Sequence, residues 1–415
     1  MAAQNSDLHP SKARLTRRQF SAGAAAMSCT LVAAGAVART TASAKIKLGL
    51  IGCGGRGTWI AKLFQQHGGY EITAAADYFA DRVSRVGEMF QIPAARLYTG
   101  LAGYKRLLDD GDVDAVAIES PPYFHPEQAA AAVDAGKHVY VAKPIAVDVH
   151  GCKTIEASGE KAREKGLCFL VDFQTRANEF FIEAIQRVHN GAIGQFAFGE
   201  ATYHAGIPWQ RQIPDAKEAA SNPESRLRAW GLDRILSGDI ITEQNIHTLD
   251  VASWIMDQTP VCAYGTGGQK VRDFGTCWDT FSVLFQYPNN VGITFSSRQF
   301  NGHGTQPEGI RNRMFGSEGV LETQYGGQVL IRGKNFYRGG TTPTIYKQGA
   351  VNNIATFYTS IQNGDCRNPT VAPSVRSNLV TILGRTAAYE GRVVAWQEIA
   401  ESDQKLEANL KGLKD

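Results

Sequence analysis

The chain has 415 residues, of which 43% are hydrophobic, 20% charged and 9% aromatic. This is the composition of an ordinary globular protein, and it excludes an intrinsically disordered, collagen-like or disulfide-scaffold protein. The formal net charge of +3 lies in residues 1–38, which hold four basic side chains and one acidic side chain. The rest of the chain is neutral, so its charge gives no reason to expect a nucleic-acid partner.

Residues 1–38 have the pattern of an export signal. Polar and basic residues end in Arg17-Arg18, an Ala- and Gly-rich apolar run follows over 21–37, and Ala36-Val37-Ala38 matches a cleavage site. Tandem arginines before such a run are typical of the twin-arginine route, which exports folded proteins. We expect a linker over 39–44 and a periplasmic or otherwise exported mature protein. The run is too short and too weakly apolar to remain as a stable membrane span.

Residues 45–173 alternate predicted strands and helices. Strands are predicted at 46–51, 70–76, 115–118, 138–141 and 168–173, and helices at 58–67, 81–90, 104–109, 126–135 and 151–165. Almost continuously apolar strands that alternate with helices are typical of a doubly wound parallel sheet, buried on both faces. We therefore predict an α/β fold whose first domain, 45–173, is a Rossmann domain.

From residue 174 the pattern changes to consecutive strands. Strands are predicted at 195–204, 281–287 and 291–298, a polar loop at 205–237, and helices at 180–188, 243–256, 355–363 and 375–391, the last with Ser374 as its N-cap. Pro288-Asn289-Asn290 joins the second and third strands as a hairpin. The second domain, 174–415, is thus predicted to hold a mainly antiparallel sheet, with one face on helices and the other open or used in assembly.

The strongest motif is the glycine-rich turn after the first strand, Gly52-Cys53-Gly54-Gly55-Arg56-Gly57. Gly52 permits a tight turn, Gly54 lets the backbone approach a pyrophosphate, and Gly57 lets helix and strand pack closely. The start of the helix adds free N–H groups for the phosphates. Asp77 lies 20 residues past Gly57, where a carboxylate accepts bonds from the adenosine ribose. The motif predicts NAD rather than NADP, although the nearby Arg82 would soften that exclusion.

Two further patterns accompany this turn. Val139-Tyr140-Val141-Ala142-Lys143-Pro144 ends a predicted strand, and Glu243-Gln244-Asn245-Ile246-His247 begins 100 residues after Lys143. Together they resemble the Gfo/Idh/MocA family of sugar and polyol oxidoreductases, and the resemblance covers nearly all of the mature chain. It implies a Rossmann domain followed by a domain with an open antiparallel sheet, and homo-oligomers that assemble through that sheet.

Two positions depart from the family pattern. The usual Glu-Lys-Pro is Ala142-Lys143-Pro144 here, so a carboxylate near the cofactor ribose or the lysine is missing. The usual Asp-x-x-x-His is Glu243-x-x-x-His247, which keeps the charge and lengthens its reach by one methylene.

Oxidation of a sugar hydroxyl requires a hydride acceptor and a base for the O–H proton. His247 suits the base, because the unperturbed pKa of histidine is about 6.5. On a continuous helix Glu243 would share its face, four residues away, and orient the imidazole or relay its proton. Lys143 follows a parallel strand at the edge where open α/β sheets bind ligands. There an ammonium group bonds the reacting hydroxyl and stabilises alkoxide character.

Other candidates are weaker. Arg176 either binds substrate or bridges the domains, and His125 is expected to help cap the nicotinamide pocket. Tyr203, His204, Trp209 and Arg211 suit stacking on a sugar, although an ordinary solvated loop explains them equally well. The predicted substrate contacts are Lys143, Arg176, His204, Trp209 and His247. The predicted cofactor contacts are Gly52, Gly54, Gly55, Arg56, Gly57, Asp77, Ser120, Pro121, His125 and Lys143. No metal site is predicted.

The primary hypothesis is an NAD(P)-dependent oxidoreductase that transfers a hydride between nicotinamide and a hydroxyl carbon of a sugar, glycoside or cyclitol. An exported enzyme meets little free NAD, so we expect the cofactor to be tightly bound and recycled by a second sugar. Two alternatives stay open. One is a glycoside hydrolase that uses NAD for transient oxidation; the other is a non-catalytic sugar-binding relative, in which Ala142 marks lost chemistry.

Overall fold

A computed structural model describes residues 45–415; the predicted export signal and linker lie outside the described residues. Among residues 45–415, no helix has both the length and the apolar character needed to cross a membrane.

The first sheet confirms the predicted doubly wound architecture. Its parallel strands are β1 (Ile46–Ile51), β2 (Tyr70–Asp77), β3 (Leu97–Thr99), β4 (Ala115–Ile118), β5 (His138–Ala142) and β6 (Phe169–Asp172), in the order β3-β2-β1-β4-β5-β6. The connecting helices are α1 (Gly55–His67), α2 (Ala80–Phe90), α3 (Gly103–Leu108), α4 (His125–Asp134) and α5 (Val149–Glu164). The strand order reverses between β1 and β4, which opens a crevice at the carboxyl ends of these strands.

The second sheet has nine strands. They are β7 (Phe196–Ala205), β8 (Cys262–Gly268), β9 (Thr280–Tyr287), β10 (Val291–Gln299), β11 (Gly309–Gly316), β12 (Gly319–Gln324), β13 (Gln328–Gly333), β14 (Tyr337–Thr341) and β15 (Val394–Ala395). Their order is β14-β13-β12-β11-β7-β10-β9-β8-β15, and all pairs are antiparallel except β7–β10. The predicted hairpin is β9–β10.

Helices cover one face of this second sheet. They are mainly α6 (Glu179–His189), α11 (Ile246–Met256) and α13 (Val371–Glu390). The other helices of this half are α7 (Ile213–Glu218), α8 (Pro223–Arg228), α9 (Arg234–Ser237), α10 (Asp239–Glu243), α12 (Ile345–Asn363) and α14 (Trp396–Glu401). The other face, called here the open face, carries the exposed side chains of Phe198, Tyr264 and Leu284. This division agrees with the predicted two-sided sheet.

Two helix boundaries were predicted wrongly. The helix predicted from residue 355 begins ten residues earlier, at Ile345. Gly349 lies in the first turns of this helix and weakens the helical pattern in the sequence. The packing requires a glycine there, since a Cβ would lie 2.5 Å from Gln174. The last long helix begins at Val371, so Ser374 is not its N-cap but an interior residue that donates its hydroxyl to Thr370 O at 2.6 Å.

The helix predicted over 243–256 is broken, which corrects the predicted positions of Glu243 and His247 relative to each other. α10 ends at Glu243 and α11 begins at Ile246. The carbonyl of Ile240 accepts from Gln244 N at 3.0 Å and from Asn245 N at 2.8 Å, so the turn widens and the regular ladder stops. Glu243 and His247 therefore do not share the face of one helix.

Candidate active site

The glycine-rich turn joins β1 to α1 and leaves space above it. Gly52 has φ 96°, and a Cβ there would lie 2.5 Å from Ser120 N. A Cβ on Gly57 would lie 1.8 Å from Gly52 O, so both positions require glycine. At Gly55, in contrast, a Cβ would meet nothing within 4 Å. The turn is tight against the protein on one side and open on the other, as a cradle for a ligand must be.

A cavity lies over this turn and extends from the end of β2 to the end of β4. Its lining includes seven of the predicted cofactor contacts: Gly52, Gly54, Gly55, Arg56, Asp77, Ser120 and Pro121. Aromatic and apolar side chains complete it, among them Tyr78, Phe79, Tyr104, Leu227 and Trp230. Backbone N–H groups beside polar and aromatic walls suit the phosphates, riboses and adenine of a dinucleotide.

Asp77 is fixed at the β2 end of the cavity by the backbone. Its Oδ2 accepts from Cys53 N at 2.7 Å, and its Oδ1 accepts from Phe79 N at 2.9 Å. Burial raises the pKa of Asp77, and these two N–H groups oppose that shift. Each carboxylate oxygen has a second acceptor site. The arrangement leaves Asp77 able to accept from a ribose diol.

Lys143 follows β5 and is buried, with its Nζ directed at Glu243. The ammonium group donates to the main-chain carbonyl of Glu243 at 2.8 Å and to its Oε1 at 3.1 Å. Glu243 therefore holds Lys143 and not His247, which corrects the prediction that it orients the imidazole. An ammonium group has three N–H bonds, so these two leave one for a ligand.

His247 lies in the first turn of α11, beside the ring of Tyr325 at 5.3 Å between centroids. Its Nδ1 is buried and has no hydrogen-bond partner among the described residues. Burial lowers the pKa of His247 well below its ordinary value, and the charges of Lys143 and Arg56 lower it further. The imidazole is therefore neutral near pH 7, which is the form that accepts a proton.

Arg56 is drawn into an ion-pair cluster. Its Nε lies 3.0 Å from Glu119 Oε2, and its Nη2 bonds to Asp172 Oδ2. Tyr346 accepts from Nη1 at 2.9 Å. Both acids were missed in the sequence, although each comes at the carboxyl end of an apolar strand, the place where such sheets bind ligands. Although Arg56 lines the cavity as predicted, its charge is largely compensated by these two carboxylates.

His125 ties together the turns after β4 and β5. Its Nδ1 lies 2.8 Å from Pro144 O, and its Nε2 lies 2.7 Å from Ser120 O. Burial lowers the pKa of His125 to about 4. The neutral ring has one N–H and donates it to one of these carbonyls, while its other nitrogen lies against the second carbonyl, so neither nitrogen is left for a ligand. The expectation that His125 caps the nicotinamide pocket is corrected accordingly.

Arg176 lies just after β6, where the chain enters the second domain. Its Nε and Nη2 donate to the carboxylate of Asp250 on α11, at 3.0 and 2.8 Å. Ser377 on α13 donates to the same carboxylate at 2.7 Å. Because Arg176, Asp250 and Ser377 all belong to 174–415, these contacts tie the start of the second domain to its own helices and support neither the bridge between domains nor the substrate contact.

His204 lies on the outer side of its strand, away from Gln244. It shares the open face of β7 with Glu200 and Thr202 and contacts Ser296 Oγ at 3.1 Å. Its neighbour Tyr203 points the other way and donates its hydroxyl to Gln244, beside Glu243. Alternate residues of a strand face opposite sides, so a shift of one residue separates a substrate contact from an outward one. Of the two neighbouring candidates, the structure therefore favours Tyr203 over His204.

Trp209 packs against Trp230, with ring centroids 5.6 Å apart. Trp230 lines the cavity over the glycine-rich turn. The ring of Trp209 thus supports the wall of that cavity.

Two family models match the chain. Residues 46–173 match the model of the Gfo/Idh/MocA oxidoreductase family with an NAD-binding Rossmann fold, and residues 181–322 match the Gfo/Idh/MocA C-terminal domain. A glycosyl hydrolase family 109 protein of Shewanella pealeana is 30% identical over 176 residues, which are 41% of this chain and 38% of that protein. The chain thus spans about two fifths of the length of such curated relatives.

Solved structures share the fold over a longer stretch. The aldose-aldose oxidoreductase of Caulobacter crescentus superposes with a TM-score of 0.66 at 22% identity, covering 85% of this chain and 99% of that one. The scyllo-inositol dehydrogenase of Lactobacillus casei, solved with NAD(H) and scyllo-inositol, superposes with a TM-score of 0.63 at 19% identity, with the same coverage.

Proposed function

The chain belongs to the Gfo/Idh/MocA oxidoreductase family, and from this premise we propose that it transfers a hydride between nicotinamide and a hydroxyl carbon of a sugar, glycoside or cyclitol. One observation carries the proposal. Lys143 and His247, 104 residues apart in the sequence, are both buried and lie close enough together for the lysine charge to lower the pKa of the histidine. The turn that bears Lys143 is tied by His125 to Ser120, which lines the dinucleotide cavity.

The residues divide the work between binding and proton transfer. Bound NAD supplies the hydride acceptor. The free N–H of Lys143 donates to the substrate hydroxyl and stabilises the developing alkoxide. His247, neutral near pH 7, accepts the hydroxyl proton. Glu243 holds the ammonium group in place through its carbonyl and carboxylate.

We propose NAD as the cofactor rather than NADP. Asp77 faces the cavity with both oxygens fixed by the backbone, and a second negative charge from a 2′-phosphate would be repelled there. Arg82 also lines this end of the cavity and would attract a 2′-phosphate. The preference for NAD over NADP therefore depends on the carboxylate of Asp77.

We further propose that the cofactor is tightly retained and that the protein works after export by the twin-arginine route. Residues 403–415, called here the C-terminal strap, run beside the β2 end of the cavity. Lys414 O accepts from Leu101 N at 2.9 Å, and Lys414 N donates to Tyr78 Oη at 3.2 Å. Leu413 packs into the apolar cluster of Phe79 and Leu227, two lining residues. A wall backed in this way slows escape of a nucleotide.

A second copy of the chain is the proposed occupant of the open face. Phe198 and Leu284 are 45% and 46% exposed, and the Phe198 and Phe315 rings stack at 4.5 Å. Apolar side chains across several strands are typical of an assembly surface. Light scattering is expected to give an oligomer for the wild type and a smaller species for Phe198→Glu; a wild-type monomer contradicts the assignment.

Mass spectrometry of the denatured protein tests the cofactor directly. We expect NAD to be released, and we expect a panel of sugars and cyclitols to change the absorbance of the bound nicotinamide. A protein that neither carries nor binds NAD or NADP would refute the proposed function.

The second candidate is an NAD-assisted glycoside hydrolase, favoured by the similarity to the glycosyl hydrolase family 109 protein over 41% of the chain. In such a reaction transient oxidation by bound NAD would acidify the neighbouring C–H, elimination would release the aglycone, water would add to the resulting double bond, and the hydride would then return to the ketone. Release of nitrophenol from nitrophenyl glycosides without net NADH would favour this reaction. A protein that binds NAD but turns over neither class of substrate would instead fit the non-catalytic alternative.

A further inference from the structure

Three neighbouring strands end side by side at Glu119, Ala142 and Asp172. Ile118 pairs with Val141, and Ala142 pairs with Asp172. Glu119 N donates to Ile51 O at 2.8 Å, so the ladder between β1 and β4 continues for one residue past β4. Residues in register across parallel strands point to the same face of the sheet. Ala142 therefore lies between two carboxylates, at the position where the family pattern has its own.

The carboxylate of Glu119 is buried and incompletely satisfied. Its side chain is 0% exposed, and it lines the cavity over the glycine-rich turn. Arg56 Nε lies 3.0 Å from Oε2, in a geometry that makes an ion pair but no hydrogen bond. Oε1 has no hydrogen-bond partner among residues 45–415. A buried carboxylate oxygen without a donor is costly, so a donor on a ligand is expected.

The order of the strands indicates which group of a bound dinucleotide would contact Glu119. Asp77, Gly52, Glu119 and Lys143 follow the strands β2, β1, β4 and β5, which are neighbours in that order. A dinucleotide with its adenosine ribose on Asp77 and its pyrophosphate on the turn at Gly52 reaches β4 with its second ribose. That ribose carries two hydroxyl donors, and the reactive ring beyond it lies towards Lys143.

We propose that Glu119 binds the nicotinamide ribose by accepting hydrogen bonds from its hydroxyls, in place of the carboxylate missing at position 142. The inference rests on the proposed function, because it requires a dinucleotide in the cavity. Arg56, held also by Asp172, orients Glu119 and favours its ionised form. Asp77 and Glu119 thus serve one ribose each.

Binding of three nucleotides distinguishes the role of Asp77 from that of Glu119. ADP contains only the adenosine ribose, whereas ADP-ribose and NAD contain both riboses. Calorimetry with the full chain, cleared of bound nucleotide, measures the affinity for each. We expect Glu119→Ala to weaken ADP-ribose and NAD about tenfold to a hundredfold, the range for a hydrogen bond to a charged group, and to leave ADP unchanged. Asp77→Ala is the matched control and should weaken all three.

The pairing of β4 with β5 suggests a second substitution that should restore the affinity lost in Glu119→Ala. Glu119→Ala combined with Ala142→Glu returns a carboxylate to the same face one strand away, and it should recover most of the lost ADP-ribose affinity. ADP binding shows that each variant is folded; should Glu119→Ala fail that check, Glu119→Gln replaces it in both measurements. Wild-type affinity for ADP-ribose in the variant, an equal loss for ADP, or a double variant no better than the single one would overturn the proposal. No binding of any nucleotide by the wild type would refute the proposed function itself.

Discussion

Lys143 Nζ bonds to the main-chain carbonyl of Glu243 at 2.8 Å, a carbonyl that a continuous helix would have given to His247 N. His247 N instead donates to Gln244 O at 3.3 Å, because α10 stops at Glu243. The break in the helix is therefore what frees an acceptor for the lysine. It also sets His247 on a new helix that begins beside the same site.

Replacing Lys143 should abolish most hydride transfer. We expect Lys143→Ala to lower kcat about a hundredfold to a thousandfold, the usual loss for one group that stabilises an oxyanion. Glu243→Gln should lose less, because the main-chain carbonyl still holds the ammonium group. Lys143→Ala also strands the buried Glu243 carboxylate, so the double variant Lys143→Ala/Glu243→Gln separates stability from chemistry. Stopped-flow measurement of NADH formation checks this order, with the exposed Lys105→Ala as control. Undiminished turnover in Lys143→Ala would refute the site.

The pH profile should reveal the environment of His247. Its pKa is lowered well below 6.5, so the base is already unprotonated at pH 6. At saturating NAD, kcat for oxidation should therefore stay flat from pH 8 down to pH 6 and fall only at lower pH. His247→Ala should lower kcat about a hundredfold or more. An acidic limb near pH 6.5 that disappears in His247→Ala would contradict the lowered pKa.

Removing the carboxylate at the β2 end should change the choice of cofactor. We expect Asp77→Ala to weaken NAD about tenfold and to strengthen NADP, since the repulsion of a 2′-phosphate is gone and Arg82 remains. Fluorescence titration with NADH and NADPH measures the ratio of the two affinities. Asp81→Ala removes an exposed carboxylate paired with Arg228 and should leave that ratio unchanged. A ratio insensitive to Asp77→Ala would place the ribose elsewhere.

Loosening the C-terminal strap should speed cofactor release. Leu413→Asp puts a charge into the apolar cluster behind Phe79 and Leu227, and we expect NADH to dissociate about ten times faster. Displacement of NADH by excess NAD, followed by fluorescence, gives the rate. Lys405→Ala changes an exposed residue of the same strap and serves as the control. Equal rates of NADH release in the wild type, Leu413→Asp and Lys405→Ala would show that the strap does not retain the cofactor.

Glu119 should make the apoprotein less stable as the pH rises. Burial raises its pKa from 4.5 to about 7 in the folded state, so folded protein binds more protons than unfolded protein between these values. The contribution of Glu119 to the free energy of unfolding is therefore greatest below about pH 4.5. It decreases by about 3 kcal/mol as the pH rises to about 7. Arg56, Asp172 and Lys143 act on the same carboxylate and are unchanged in Glu119→Gln. The stability difference between Glu119→Gln and wild type in urea should therefore grow from pH 5 to pH 8. A constant difference would contradict the raised pKa.

Local patterns in the sequence predicted the elements that depend on local physics. The apolar strands of the Rossmann domain and the glycine-rich turn are examples, because strand burial and positive φ leave direct marks in the residue types. Lys143 and His247 were predicted to act together only through the family resemblance, and their spacing alone would not have joined them.

Features set by long-range register were not predictable in the same way. Glu119, Ala142 and Asp172 come together only because β4, β5 and β6 pair in one register. Tyr203 and His204 differ by one residue in a strand whose buried face the sequence left undecided. The carbonyl that the helix break frees at Glu243 accepts from Lys143, 100 residues away, and that contact leaves no mark in the local sequence.

The packing of α12 has a consequence for how the two halves can move and be exchanged. Although it follows the second sheet in the chain, its Ala350, Ile354 and Phe357 are buried in the apolar core of the first sheet, with Phe64 and Tyr140. A fragment that stopped at residue 173 would leave those aromatic rings bare to water. The nucleotide half is therefore not a detachable module, and recombination with another substrate half would have to carry its own matching helix.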